Sequence, residues 1–528
     1  MTIYLDYAAT TPVDPRVADA MAESLKSPLQ QGNAASATHR PGLAAAERVE
    51  FSRRAVAALI GAMPREIVFT SGATEANNLA IVGAWNAARR AAAAQKLPAA
   101  AHFVSARTEH RSVLDALKEI ERQGAAVTWL EPDEWGRVPP DAVRTALRAD
   151  TVLVSVMHAN NELGCINDIA GIAAACRARG VLLHTDASQS VGKIDSDVRR
   201  LDVDFMSFTA HKLNGPKGVG ALFVRESARP RLAPIVFGGG HERGLRSGTL
   251  PTHQVVGFAK AASLAVVEGA HDAAESRTLR ERLRTALRAM PGVLLNSPDG
   301  DESLAGIINA SFEGVEGESL VTGLWQLAVS TGSACSSATR EPSYVLRALG
   351  RDAELAQSSL RISFGRFTTS EEIDMAIASI RDEVSRLRVL AGGERIPDAV
   401  GVAGDEPANP GTTLSPAAWR YFRAPARLPI GDSLTDARRG AAGRRADGTQ
   451  VAFELGIARG FVKSARFTAY GCPHTLAVVQ WLCEVLEGAP AGAAIGTPAE
   501  WAAKFEVPAE KLGRLLIIED ALRAALRS

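Results

Sequence analysis

The sequence contains few cysteines, five among 528 residues. Five scattered cysteines do not make the framework of a disulfide-rich secreted domain, and an odd number leaves at least one thiol free. The N-terminal stretch MTIYLDYAATTP has neither the basic segment nor the apolar run of a secretory signal. From these absences we expect a cytoplasmic protein in a reducing compartment.

The sequence also lacks an excess of either charge. Lysine plus arginine and aspartate plus glutamate each number 59, so the formal net charge is zero. Such a chain has no basic footprint for nucleic acid or for an anionic membrane. It also has no apolar run of roughly 18 residues or more, the length that a membrane-spanning helix needs. We therefore expect neither nucleic acid nor membrane among its partners.

The first part of the chain alternates short apolar runs with longer helical patterns. The runs are rich in β-branched residues, which favours strands buried on both faces. They lie at 65–70, 101–106, 151–157, 181–187, 203–209 and 219–225. The alternation predicts an α/β fold with a mostly parallel sheet. Longer helical patterns from about 255 to 388 predict a second, smaller domain.

A change in composition at residues 391–416 predicts a linker, because glycine, proline and acidic residues dominate and periodicity vanishes. Ser415 and Pro416 then suit the N-cap and first turn of a helix. The segment that follows predicts a compact third unit, 415–528. It has a meander of strands around an Asp447–Gly448 turn, and its helices are expected at 473–488, 498–505 and 508–526.

Several polar residues follow predicted strands. Lys212 leaves an apolar strand end in MSFTAHKLNGPKGVGALFV, where a desolvated lysine can form a Schiff base. The helix start at 72–74 offers backbone amides to a phosphate. Asp186 can pair with a pyridinium nitrogen, and His110 can stack on a flat ring and move protons. Taken singly, each has a commoner explanation, such as a surface lysine, a helix cap or a structural histidine.

Nine ordered motifs resemble the pyridoxal-phosphate-dependent cysteine desulfurases of the housekeeping and nitrogen-fixation type. They are YLDYAATTP, SGATEANN, TEHRSVLD, HANNELG, HTDASQSVGK, SFTAHKLNGPKG, GGGHERGLRSGTLP, STGSACSSATREPSYVLRALG and SSLRISFGRFT. The resemblance covers residues 1 to about 388. It implies the fold type I of pyridoxal phosphate (PLP) enzymes, with a large, mostly parallel seven-stranded sheet domain at about 15–255. The smaller α/β domain would combine the N-terminal segment with about 256–388.

The resemblance also implies a role for each matching residue. Lys212 would carry PLP, Asp186 would pair the ring nitrogen, Gln189 would contact the ring hydroxyl oxygen, and His110 would stack on the ring. The phosphate would be held by Ala73, Thr74, Thr209 and His211, and Thr249 would reach the phosphate of a neighbouring subunit, which implies a homodimer. Asn161 and Arg361 would hold the substrate carboxylate, for which a bidentate guanidinium is suited. Lys212 and His110 would form the acid–base pair.

Cys335 is the predicted nucleophile. It lies in VSTGSACSSATR among small polar residues, whereas a structural cysteine normally sits among large apolar groups. We expect its thiolate to take the sulfur of L-cysteine as a persulfide, leaving L-alanine, and to supply iron–sulfur cluster assembly or other thiolation. A related PLP lyase or aminotransferase is the alternative. Cys165 and Cys176 are interpreted as packing residues.

Residues 415–528 resemble, more weakly, the U-type iron–sulfur scaffold proteins. In that family three cysteines and a histidine or aspartate bind the cluster, but here only Cys472 matches. Cys483 lies roughly 16 Å further along a helix, too far to share one metal. We therefore predict no cluster on this unit by itself. Cys472 is either a persulfide acceptor, a remnant in a domain kept for docking, or one ligand of a cluster bridged between subunits. The arginine-rich segment 438–445 is interpreted as a solvated loop, with docking of an acidic partner as the alternative.

Overall fold

A computed structural model describes residues 2–95, 101–331, 342–397, 399, 409, 411–425, 427–428, 437–493 and 495–527. The strands of these residues are β1 (Ile3–Tyr4), β2 (Ile67–Thr70), β3 (His102–Ala106), β4 (Ala126–Leu130), β5 (Thr151–Ser155), β6 (Leu182–Asp186), β7 (Phe205–Thr209), β8 (Gly220–Val224), β9 (Val293–Leu295), β10 (Ile307–Phe312), β11 (Leu327–Ala328), β12 (Ser359–Ser363), β13 (Ala437–Arg444), β14 (Thr449–Ala458) and β15 (Phe461–Tyr470). The α-helices are α1 (Pro15–Lys26), α2 (Arg40–Leu59), α3 (Ala73–Ala94), α4 (Arg111–Arg122), α5 (Pro140–Ala146), α6 (Ile169–Arg177), α7 (Val198–Leu201), α8 (Thr252–Arg288), α9 (Gly317–Gly323), α10 (Tyr344–Ala348), α11 (Ala353–Gln357), α12 (Ser370–Leu390), α13 (Pro416–Arg423), α14 (Pro473–Leu486), α15 (Pro498–Phe505) and α16 (Leu512–Arg527). None of the described helices is both long and apolar enough to cross a membrane.

The largest sheet has seven strands in the order β2-β8-β7-β6-β5-β3-β4. Strand β8 runs antiparallel to both of its neighbours, and the other pairs are parallel. All six predicted strands are present, so the α/β prediction is confirmed. The apolar pattern missed β4 because this edge strand is only partly covered and Leu130 is its one buried residue.

A smaller layer follows in the chain. Strands β12, β10 and β9 form an antiparallel sheet. It packs against α12 and the second half of the 37-residue helix α8 in one apolar core. The N-terminal segment joins this layer, because β1 pairs with β11 in parallel and Asp6 bridges to Ser363. Residues that are far apart in the sequence therefore meet beside the large sheet.

The C-terminal unit consists of an antiparallel sheet, β13-β14-β15, and four helices of the described residues. Ser415 caps α13 as predicted, since its hydroxyl accepts a 3.2 Å hydrogen bond from the Ala418 amide. The solvated-loop interpretation of 438–445 is wrong, because residues 437–444 form a strand that pairs with residues 449–456 of β14. Gly440 permits this arrangement: a Cβ atom there would lie 2.1 Å from the Ala525 nitrogen on α16.

The C-terminal unit is packed on the smaller layer rather than held apart from it. Trp419 of α13 meets Trp325 edge-to-face, with ring centroids 6.4 Å apart. Glu383 of α12 is buried and receives hydrogen bonds from Arg386 at 2.7 Å and from Arg423 of α13 at 2.8 Å. Lys511 also pairs with Glu318 of α9. The two parts of the chain therefore share one apolar core with ion pairs across it.

Candidate active site

A cleft of about 670 Å³ opens beside the carboxyl ends of β6 and β7 and the start of α3. The structure brings ten of the predicted site residues together in its wall. They are Ala73, Thr74, His110, Asn161, Asp186, Gln189, Thr209, His211, Lys212 and Arg361. Thr249 does not line this cleft, and Cys335 lies outside the described residues.

Lys212 ends a single helical turn that follows β7. Its ammonium group donates hydrogen bonds to the carbonyls of Ala8 and Ala9, the latter at 2.8 Å. The Gln189 side-chain amide also donates to the Ala8 carbonyl, at 2.9 Å. The N-terminal segment, brought here by β1, thus holds both residues at the cleft.

The start of α3 supplies backbone donors. Ala73 and Thr74 open the helix, and the Gly72 carbonyl accepts the first helical bond from Ala76. The backbone of β8 passes very close to this helix start, since a Cβ atom on Gly220 would lie 2.7 Å from the Gly72 Cα. Amide groups at such a helix start bind anions. Burial and the charge of Lys212 lower the pKa of the adjoining His211 to about 4.

Asp186 is buried at the end of β6 with both carboxylate oxygens engaged. Oδ2 accepts a 2.7 Å hydrogen bond from the Asn77 amide. Oδ1 accepts from the Ser188 backbone nitrogen at 2.9 Å and from the Ser188 hydroxyl at 2.5 Å. Donors on both oxygens hold the carboxylate in a fixed position, which suits a partner for a protonated ring nitrogen.

His110 caps the start of α4 across the cleft. Its Nδ1 atom lies 2.8 Å from the Ser112 hydroxyl and 3.2 Å from the Ser112 backbone nitrogen. Burial lowers the pKa of His110, and the charge of Lys212 acts in the same direction, whereas Asp186 opposes it. The imidazole is therefore neutral at neutral pH.

Arg361 and Asn161 form the wall that the resemblance assigns to the substrate. The Arg361 guanidinium donates to Asp6 Oδ1 at 2.8 Å and to the Asn161 carbonyl at 3.1 Å. Within the described residues, Arg361 Nε and Asn161 Oδ1 are buried without a hydrogen-bond partner. Such unpaired buried groups are unfavourable unless a ligand satisfies them. A carboxylate and an amine are the complementary groups.

The chain on either side of 332–341, the segment that contains Cys335, is held at this wall. Ser330 and Arg361 exchange backbone hydrogen bonds of 3.2 and 2.7 Å. On the other side, the Ser343 hydroxyl donates to Glu162 at 2.5 Å, and the Tyr344 hydroxyl donates to the Glu109 carbonyl at 2.7 Å. Glu162 and Glu109 are the sequence neighbours of Asn161 and His110.

Sequence reasoning missed three residues of this site. Asn77 and Asp6 lie in the motifs SGATEANN and YLDYAATTP, and Glu162 lies in HANNELG. Each contacts a predicted site residue or the chain next to Cys335. The only sign of their roles in the sequence is that each is a polar residue within a recognised motif. The contacts themselves join segments that are distant in the sequence, so local patterns do not predict them.

The remaining cysteines of the described residues are buried. Burial raises the pKa of Cys165 and of Cys176 to about 12, so their interpretation as packing residues is confirmed. Cys472 occupies the N-cap position of α14 without a side-chain capping hydrogen bond and has no exposed surface. Its sulfur lies 3.4 Å from the Thr475 hydroxyl oxygen. Burial alone would lower the pKa of Arg514, but nearby Cys472 and Glu316 raise it above its ordinary value.

Metal-ligating groups do not gather in the part of the chain that the structure describes: no three side chains of histidine, cysteine, aspartate or glutamate converge there. The donor set of the cleft instead fits PLP. It offers an amine at Lys212, a carboxylate at Asp186, a flat imidazole at His110 and a helix start for a phosphate.

Comparison with known proteins identifies the family. A sequence model of the class-V aminotransferases matches residues 3–375. The chain is 52% identical over 391 residues to the cysteine desulfurase IscS of Klebsiella pneumoniae, covering 74% of this chain and 95% of that protein. It is 54% identical, with the same coverage, to the cysteine desulfurase IscS of Psychromonas ingrahamii.

Solved structures agree. A NifS-like protein, 32% identical, superposes with a TM-score of 0.65 over 74% of this chain and 100% of its own. The structure of SspA in complex with cysteine, 35% identical, superposes with a TM-score of 0.61 over 70% of this chain and 100% of its own. The chain therefore belongs to the class-V aminotransferase family, and within it to the PLP-dependent cysteine desulfurases.

Proposed function

We propose that this enzyme transfers the sulfur of L-cysteine to Cys335 and releases L-alanine, and that the persulfide then supplies acceptor proteins, such as an iron–sulfur scaffold. The main support is that one cleft contains Lys212, Asp186, His110 and Arg361. The residues that flank the 332–341 segment on both sides are hydrogen-bonded at the same place. A relative of 35% identity was solved in complex with cysteine, which supports the substrate.

The assignments for PLP follow from the donor set. Lys212 would hold the cofactor covalently, Asp186 its ring nitrogen, Gln189 its ring hydroxyl oxygen and His110 its ring face. Its phosphate would lie on the Ala73 and Thr74 amides, with Thr209 and His211 beside it. When bound, PLP withdraws electrons from the substrate carbon next to the amine and so weakens the bonds around it.

Each of the chain's residues then has a defined task. Arg361 and Asn161 orient the substrate through its carboxylate. His110, which is neutral, and the Lys212 amine move protons to and from the substrate carbons. The Cys335 thiolate forms a bond to the substrate sulfur, and the Cβ–S bond breaks with its electron pair passing to the carbon fragment. Overall, L-cysteine and one thiol become L-alanine and one persulfide.

The Cys335→Ala variant separates this function from a PLP lyase or aminotransferase. Alanine release from L-cysteine should fall to background while PLP content is unchanged. The matched control is Ser333→Ala, in the same segment, which should keep its activity. A Cys335→Ala enzyme that still releases alanine and sulfide at the original rate contradicts the proposal.

We also propose that the enzyme is a homodimer. Thr249 is exposed and does not line the cleft of its own chain, as expected of a residue that serves a neighbouring subunit. The apolar side chains of Phe237 and Val267 are 72% and 79% exposed and are candidates for the contact between subunits. Analytical ultracentrifugation measures the mass. A monomer that retains PLP and full activity at assay concentration contradicts the proposal.

For residues 415–528 we propose a fixed docking module. The support is the core shared with the smaller layer, the ion pairs across it and the complete burial of Cys472. A persulfide acceptor has to be approached by another sulfur, and a thiol without exposed surface is not. An acceptor role of Cys472 is the alternative, and mapping of transferred sulfur tests it. The scaffold-like resemblance supports a partner surface for sulfur-acceptor proteins.

A further inference from the structure

Asn77 joins the two sides of the cofactor site. It lies on α3 with no exposed surface. Its Nδ2 atom lies 2.7 Å from Asp186 Oδ2 and 2.8 Å from the Ser112 hydroxyl oxygen. That hydroxyl in turn lies 2.8 Å from His110 Nδ1. One amide group therefore connects the Asp186 carboxylate to the His110 imidazole through Ser112.

The orientation of the Asn77 amide follows from its partners. The opposite orientation would set its oxygen against the Asp186 carboxylate, two acceptors without a proton between them. The NH₂ group therefore faces Asp186 and Ser112 and donates one hydrogen to each. Because the Ser112 oxygen accepts from Asn77, its single O–H is available for His110 Nδ1.

The state of His110 follows in the same way. Nδ1 receives the Ser112 hydroxyl and lies 3.2 Å from the Ser112 backbone N–H, which can only donate. Nδ1 is thus an acceptor, and the proton of the neutral ring is on Nε2. Protonation of Nδ1 would set a second hydrogen against that fixed backbone donor.

We propose that Asn77 is a positioning residue that fixes His110 as its Nε2–H tautomer through Ser112 while it anchors Asp186. The inference rests on the proposed roles of His110 and Asp186. The arrangement leaves one polar atom unsatisfied: within the described residues, Asn77 Oδ1 is buried without a hydrogen-bond partner. Packing alone would favour an apolar side chain at such a position.

The test is to label the full-length holoenzyme with diethyl pyrocarbonate, which reacts with unprotonated imidazole, at a series of pH values. Peptide mass spectrometry then measures the labelling of His110. The charged groups that act on His110 are Asp186, Lys212, Asp115 and Arg361, and none is altered. In Asn77→Leu and in Ser112→Ala, the midpoint of His110 labelling should rise by about one pH unit. Ser112→Ala removes the hydroxyl that donates to Nδ1, and Asn77→Leu leaves that hydroxyl free to accept from a protonated Nδ1 instead. The exposed His271 is the internal control and should not change.

A second readout separates the Asn77 contact to Asp186 from its contact to His110 through Ser112. The absorbance of bound PLP, titrated without L-cysteine, should shift in Asn77→Leu, which loses the Asp186 contact, and stay as in the wild type in Ser112→Ala. Unchanged His110 labelling in both variants overturns the inference. If Asn77→Leu does not fold, unchanged labelling in Ser112→Ala alone overturns it.

Neither readout requires sulfur transfer. A failure of the desulfurase proposal, seen as no alanine from L-cysteine in the wild type, is therefore distinct from a failure of this inference. An equal shift of the PLP titration in both variants would also contradict the inference, because it would show that Asp186 is not anchored separately from His110.

Discussion

The Ser343 hydroxyl donates a 2.5 Å hydrogen bond to Glu162 Oε2, and the two residues are only 2% and 3% exposed. The same hydroxyl accepts the Leu346 amide at 3.2 Å, so it caps α10 and is fixed on both sides. Glu162 follows Asn161 directly, and Ser343 lies two residues beyond the segment that contains Cys335. The proposed substrate wall and the chain that leaves that segment are thus joined by one hydrogen bond.

Loss of this bond should slow sulfur transfer. In Glu162→Ala the Ser343 hydroxyl loses its buried acceptor, and we expect kcat for alanine release to fall roughly tenfold, equivalent to about 1.4 kcal/mol. Glu162→Gln keeps an acceptor oxygen and should retain most of the activity. Equal losses in the two variants, at unchanged PLP content, would contradict a role for the hydrogen bond.

Glu162 also predicts a pH dependence of stability. Burial raises its pKa from 4.5 to about 7, although the Ser343 hydrogen bond and Arg361 act in the opposite direction. Between these two pH values, the folded state keeps a proton on Glu162 that the unfolded state has released. The stabilisation that this proton gives to the folded state is complete below pH 4.5 and is lost as the pH rises through 7.

Glu162→Gln removes that titration. Relative to the wild type, it should be nearly neutral at pH 5 and more stable at pH 8, by up to about 3 kcal/mol in the free energy of unfolding. Urea unfolding at both pH values measures the difference, with the exposed Glu134→Gln as control. A difference that does not grow with pH would contradict this account.

Asp6 should act through Arg361. It receives the guanidinium at 2.8 Å, and the pair is largely buried. Asp6→Asn weakens the ion pair that orients the arginine, so KM for L-cysteine should rise roughly tenfold with PLP content unchanged. Arg361→Lys should have a larger effect, because lysine lacks the planar pair of donors. An unchanged KM in Asp6→Asn shows that Arg361 is oriented without it.

Glu383 should be a main support of the docked C-terminal unit. Burial tends to raise its pKa, but Arg386 and Arg423 lower it below its ordinary value, so its contribution is present above pH 4.5 and is lost on acidification. Glu383→Ala leaves Arg386 and Arg423 near the buried interface without their acceptor. We expect it to lower the free energy of unfolding by about 3 kcal/mol.

Thermal unfolding tests this support. The transition of Glu383→Ala should move to lower temperature, while the exposed Glu394→Ala should resemble the wild type. If the C-terminal unit is a fixed module, its unfolding transition and that of the remaining chain should move to lower temperature together. A variant in which only a small separate transition moves would indicate a loosely attached domain.

The sequence predicted the buried strands and the site residues that belong to recognisable motifs. It missed β4 and β13, because an edge strand with one covered face and an arginine-rich strand lack a continuous apolar run. It also missed the tasks of Asn77 and Asp6, whose partners Asp186 and Arg361 lie 109 and 355 residues away. Periodicity describes a residue's local neighbours, whereas these contacts depend on how the layers assemble.

The burial of Cys472 illustrates the same limit. Its place at the start of a helix was predicted and is confirmed. Its burial, however, results from the packing of α14, α16 and α9, which brings Arg514 beside it and Glu316 beside Arg514. A local pattern around one cysteine contains no information about such a neighbouring layer.

The most direct measurement is mass spectrometry of the full-length enzyme after turnover with sulfur-labelled L-cysteine, with each cysteine-containing peptide mapped. We expect one or more added sulfur atoms on the Cys335 peptide, matched by released L-alanine, and none on the buried Cys472. Release of L-alanine with no sulfur on Cys335 would contradict the proposed nucleophile. Labelled sulfur on Cys472 would contradict the docking role and support that of a sulfur acceptor.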